Sequence, residues 1–127
     1  MSEESMKSSI RKAKGLGSAK NGTSHWYMQR ITAIANIPLA IWMIWSILQL
    51  QNIPYQEFTI WLSTPLNAIL MILFILNMIY HAYLGSLSVV EDYLSNTTLK
   101  TIKIISMKLF FIAAAVTAIF SILKISL

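Results

Sequence analysis

The chain has 127 residues, a formal net charge of +5, a hydrophobic share of 56% and a charged share of only 12%. Soluble domains carry about twice that share of charge, so the excess apolar surface belongs in lipid, and the length allows at most one compact domain. There is no cysteine, which excludes disulfides, thiolate metal sites and thiol nucleophiles.

Residues 1–23 are rich in Ser, Lys and Gly and hold no apolar period. Their first half reads as a disordered, cytoplasmic basic arm. Gly15, Gly17 and Gly22 oppose a stable helix in the second half and suit a loop lying on a partner surface. Lys7, Arg11, Lys12, Lys14, Lys20 and Arg30 all precede the first apolar run. That basic bias is a topology signal and a contact for anionic lipid rather than a nucleic-acid surface. Glu3 and Glu4 in a long leading segment, followed by a full-length apolar run, argue against a cleavable signal peptide.

His25-Trp26-Tyr27-Met28-Gln29-Arg30 is an interfacial cluster, because Trp and Tyr settle at headgroup depth and Arg30 can snorkel to the same level. The first membrane span is expected over residues 31–50, interrupted early by Asn36 and Pro38. Proline inside lipid calls for neighbouring helices that satisfy the freed carbonyl, so that end of the helix should pack on protein. The polar connection from Gln51 to Thr64 has no Lys or Arg, and its Tyr55, Phe58 and Trp61 suggest an aromatic belt on a short interfacial helix. Thr64-Pro65 then reads as an N-cap with proline at the first helical position.

A second span is expected over residues 66–90 and a third over 102–123, with Lys103 and Lys108 at its foot. Ala113-Ala114-Ala115 and Thr117 give the third span a small-residue patch suited to close helix packing. Positive charge is heavy before the first span, absent between the first and second, and present again before the third. The fold class is therefore an all-α membrane protein of three transmembrane helices, with the N-terminus inside and the C-terminus outside. Residues 24–127 form the membrane anchor.

One stretch of the second span carries its polar residues in register. With about 100° per helical residue, His81, Gly85, Ser88 and Asp92 fall within about 80° of Asn77. His81 lies about 16 Å of helix rise from Asp92, roughly half the hydrocarbon thickness of a bilayer, and so near its midplane. An ionisable group at that depth faces protein, water or a ligand and marks function by default. His81 and Asp92 are too far apart to pair in a hydrolytic triad, one midplane histidine does not make a zinc site, and no glycine-rich phosphate loop is present. The residues leave three roles for His81: an axial haem ligand with a gap for a flat macrocycle at Gly85, a proton relay, or a packing histidine hydrogen-bonded to Asn, Ser or backbone. Tyr93 and Arg30, taken alone, read as interfacial anchors.

The pattern of His81, Gly85, Val89, Asp92 and Tyr93 at the inner end of the second of three spans resembles the membrane-anchor subunit of succinate dehydrogenase (respiratory complex II), of the D type in its bacterial form. Residues 15–22, the His25–Arg30 cluster and Ile31-Thr32-Ala33 resemble the same subunit ahead of its first helix, so the likeness runs from about Gly15 to Leu127. It implies His81 as an axial ligand of haem b iron, shared with a histidine of a second, cytochrome b556-type anchor subunit. It further implies Tyr93 as the donor to a ubiquinone carbonyl, with Asp92 ordering that pocket and Arg30 near the haem propionates or the quinone. The expected partners are the second anchor, the iron–sulfur subunit, the flavoprotein subunit and the lipid bilayer, with no nucleic acid. The chain would have no catalytic activity alone but would serve succinate:quinone oxidoreduction. Its expected location is the bacterial inner membrane, or the mitochondrial inner membrane if organelle-encoded. The competing reading is a cofactor-free membrane protein, such as an assembly factor or a transporter accessory subunit.

Overall fold

The computed structural model describes the backbone of residues 19–127, with side chains from residue 23. Of the expected basic arm and loop over residues 1–23, residues 1–18 lie outside the described residues. Four helices follow: α1 (Ala19–Gln49), α2 (Tyr55–Ser63), α3 (Pro65–Tyr93) and α4 (Thr97–Ser126). Three of them, over Thr23–Gln49, Pro65–Tyr93 and Thr97–Ser126, are long and apolar enough to cross a membrane.

The helices run beyond the spans that apolar patterning marks. α1 is already helical at Ala19 and passes through Gly22, where a loop is expected. A helical glycine costs about 1 kcal/mol relative to alanine, and contacts farther along can outweigh it. The His25–Arg30 cluster thereby becomes part of α1 rather than a lead-in to it. Pro38 is carried inside α1 without ending it. α4 starts at Thr97, where the Asn96 side chain caps the backbone amides of Thr98 and Leu99 at 3.0 and 3.2 Å. Lys108 is consequently eleven residues into α4, about 17 Å from its start, rather than at its foot.

Between α1 and α2 the chain turns through Asn52 at φ 65°, a left-handed conformation that asparagine tolerates better than most residues. α2 carries the expected aromatic group, with Trp61 stacked on Phe58 at 6.1 Å and on Trp42 of α1 at 5.9 Å. Thr64 closes α2 and opens α3, with Pro65 at the first helical position. Its hydroxyl does not cap α3 but bonds back to Ile60 O at 3.4 Å. Asn67 Nδ2 donates to Trp61 O at 3.0 Å and ties the corner together.

α3 is the middle helix: α1 packs along one side and α4 along the other, while α2 touches both α3 and α4. Among the described residues α1 and α4 do not pack on each other. The hydrophobic residues buried within the chain are Leu62, Leu84, Val90 and Ile122. Ile34, Ile37, Ile41, Ile44 and Trp45 of α1 are all more than half exposed, which leaves that flank for lipid or another chain.

Candidate functional site

α3 spans residues 65–93, so its midpoint is residue 79 and His81 lies two residues beyond. The side chain turns toward α1. Thr32, itself 4% exposed, meets it with Oγ1 2.9 Å from His81 Nδ1. The same Oγ1 lies 2.8 Å from Met28 O and 3.0 Å from Gln29 O on its own helix. Asn77, one turn before His81, donates from Nδ2 to Thr32 O at 2.8 Å. Two α3 side chains thus grip one residue of α1 by its hydroxyl and its carbonyl.

Counting hydrogen bonds assigns the protons. Carbonyl oxygens only accept, so a Thr32 hydroxyl that donates to Met28 or Gln29 leaves its oxygen to accept from His81 Nδ1–H. This arrangement makes two bonds. The reverse, with Thr32 donating to Nδ1, makes one and puts a proton on Nε2, which has no hydrogen-bond partner among the described residues. The first arrangement makes one more hydrogen bond, about 0.5–1.5 kcal/mol net, and is favoured. In that tautomer the imidazole lone pair is on Nε2.

His81 lines a cleft of about 260 Å³ together with Trp26, Gln29, Arg30 and Ala33 of α1. The Arg30 guanidinium stands 5.4 Å from the centre of the Trp26 ring, a cation–π contact one turn apart on the helix. Below that cleft His25 Nε2 donates to Leu84 O at 3.0 Å. Ser88 Oγ donates to the same carbonyl at 3.2 Å, so Ser88 bonds within α3 and not to His81. Beside Gly85 a Cβ would meet nothing within 4 Å, so this face of α3 is open.

The other candidates lie elsewhere. Tyr93 ends α3, is 82% exposed and has no hydrogen-bond partner among the described residues. Asp92 beside it is also exposed. Both sit at least eleven residues from His81 on one helix, about 16 Å or more. The structure therefore brings His81 and Arg30 to one cleft and leaves Tyr93 and Asp92 at the end of α3.

Comparison with known proteins bears on what such a helix is. The profile of the succinate dehydrogenase/fumarate reductase transmembrane subunit matches residues 4–123. The chain belongs to this family. It is 39% identical over 110 residues to the succinate dehydrogenase hydrophobic membrane anchor subunit of Rickettsia bellii, covering 87% of this chain and 88% of that one. It is 37% identical over 111 residues to the like-named subunit of Rickettsia conorii, with coverage of 87% and 88%. With that of Rickettsia typhi it shares 30% over 116 residues, covering 91% and 93%. No solved structure matches the chain.

Within a succinate dehydrogenase/fumarate reductase transmembrane subunit, the cleft offers an imidazole lone pair, a cation and an aromatic wall. Among the described residues no three His, Asp or Glu side chains gather to hold a metal ion. At about 260 Å³ the cleft is smaller than the roughly 300–1,000 Å³ of pockets that enclose a drug-sized ligand. Thr32 and His25 are the residues whose contacts sequence reasoning missed. Thr32 stands in an otherwise apolar run and bonds its own backbone, so its sequence gives no signal of a partner on α3.

Proposed function

We propose that the chain is the hydrophobic membrane anchor of a succinate:quinone oxidoreductase, contributing one side of a haem b site and part of a ubiquinone site. The observation that carries this reading is His81 at the middle of α3, with Nδ1 engaged by Thr32 and Nε2 free beside the Arg30 cleft. The donor set fits a haem held between two chains: one imidazole nitrogen, an open face at Gly85, and a guanidinium suited to a propionate carboxylate. His81 would ligate the iron together with a histidine of a second anchor subunit, and Arg30 would neutralise propionate charge. When bound, the haem supplies a centre that takes up and releases single electrons inside the bilayer.

Tyr93 serves the quinone in this reading. A phenol is a neutral donor at pH 7 and suits a carbonyl oxygen that gains charge on reduction. The exposure of Tyr93 and Asp92 at the end of α3 is what a site completed by other subunits requires of this chain. That end faces the cytoplasm and docks the iron–sulfur and flavoprotein subunits, in keeping with the basic residues before α1 and between α3 and α4. The membrane is the inner membrane of a bacterium, as the relatives come from bacteria.

The test is spectroscopic. Membranes holding the assembled complex should show a low-spin b-type haem, and the His81→Ala variant should lose it or turn high-spin. Unchanged low-spin haem in that variant overturns the reading.

A further inference from the structure

A histidine that ligates a metal through one nitrogen nearly always donates from the other, and the acceptor fixes both the tautomer and the ring plane. In this chain the acceptor is neither a carboxylate nor a backbone carbonyl. It is the hydroxyl oxygen of Thr32, on a different helix.

The hydroxyl is well prepared for the task. Its own proton goes to Met28 O or Gln29 O, at 2.8 and 3.0 Å, which orients the oxygen's lone pairs away from α1. Asn77 holds the Thr32 carbonyl at 2.8 Å, so the segment of α1 that presents the hydroxyl is itself fastened to α3 one turn from His81. Thr32 is nearly fully buried, so water does not compete for the lone pair. No charged side chain enters these bonds. The acceptor is neutral, and the imidazole keeps neutral rather than imidazolate character.

We propose that Thr32 is the positioning residue of the haem site, setting the Nδ1–H tautomer and the ring plane of His81 so that Nε2 is the ligating atom. This rests on the reading of His81 as a haem ligand. A consequence is that Thr32 tunes the iron from a distance. Loss of its oxygen leaves Nδ1–H without an acceptor, makes the imidazole a weaker donor, and favours the ferrous over the ferric state.

The test uses the assembled complex in membranes with Thr32→Val, which keeps the shape and removes the hydroxyl, and Thr32→Ser, which restores it. The readings are the low-temperature electron paramagnetic resonance spectrum of the oxidised haem and its midpoint potential. Thr32→Val should keep haem but shift the low-spin g-values and move the ferric-to-ferrous balance about tenfold toward ferrous, about 59 mV upward for one electron. Thr32→Ser should return both toward the parent values. Unchanged spectrum and potential in Thr32→Val overturn the proposal, as does a Thr32→Ser variant as altered as Thr32→Val. Should Thr32→Val not assemble, the same two readings on Thr32→Ala decide. His81→Ala separates the two levels: if it leaves low-spin haem unchanged, the ligand reading fails and this proposal with it. If it abolishes that haem while Thr32→Val changes nothing, only the role of Thr32 fails.

Discussion

His25 and Leu84 are 59 residues apart in sequence and joined at 3.0 Å, imidazole Nε2 to backbone carbonyl. The bond fastens the lower end of α1 to α3 within one turn of His81. A charged or aromatic cluster at a membrane surface needs no such bond to be stable there. Its presence gives the first turns of α1 a fixed seat.

Replacing His25 by Ala should loosen that seat without unfolding α1. One neutral hydrogen bond contributes about 0.5–1.5 kcal/mol net, and Ser88 still donates to the Leu84 carbonyl. Backbone amides around residues 23–30 should exchange several-fold faster in hydrogen-exchange mass spectrometry, while those of α4 stay as they were. Unchanged exchange around residues 23–30 in the variant would show that the bond does not hold the helix.

Asn77→Leu tests the second tie between α1 and α3. It removes the donor to Thr32 O at 2.8 Å and inserts a side chain of similar size. That carbonyl belongs to a helix, so it is not orphaned, and the expected loss is about 1 kcal/mol. Assembled complex should melt a few degrees lower and keep its haem. A variant as stable as the parent would mean the bond contributes nothing net.

Gly85→Leu separates the chain's own packing from the proposed cofactor's. Nothing within 4 Å obstructs a Cβ there, and leucine is the better helix former, so α3 should form at least as well. If a macrocycle lies on that face, the new side chain occupies its place. The complex should then lose haem absorbance while the anchor still accumulates in the membrane. Full haem content would clear this face of any such group.

Topology is open to direct measurement. Reporter fusions after Gln51 should report the outside and fusions after Asn96 the inside. An inside signal at Gln51 would invert the orientation and move the quinone site to the wrong face.

Tyr93→Phe should leave assembly and haem intact, since the hydroxyl has no partner among the described residues and lies twelve residues, about 18 Å, from His81. Quinone reduction should fall roughly tenfold or more, as about 1.4 kcal/mol of lost transition-state stabilisation is one decade in rate. Succinate oxidation with a soluble dye that bypasses quinone should survive. Undiminished quinone turnover would reduce Tyr93 to an interfacial anchor.

The place of His81 near the middle of a long apolar helix, on one face with Asn77, was legible because polar residues in an apolar run fix both, once helical period is assumed. Helix ends were less so. Gly22 signals a break, yet α1 continues through it, and the cap at Asn96 precedes the apolar run it serves. Thr32 stayed hidden for a different reason. A threonine in a helix readily bonds its own backbone, as this one does to Met28, so its sequence context asks for no partner. Only the rotation of α1 against α3 turns the oxygen's remaining lone pair toward His81, and periodicity within either helix does not set that rotation.

The order of the helices has a consequence for inheritance. With α3 between α1 and α4, and so few apolar side chains enclosed, the described residues have almost no interior of their own. Most of the described side chains answer to neighbours outside the chain, whether lipid or another protein. A substitution on an outer flank of α1 or α4 is therefore judged by how it suits those neighbours, and the same change can be silent beside one set and ruinous beside another. The few residues between α1 and α3, by contrast, are held by the chain itself.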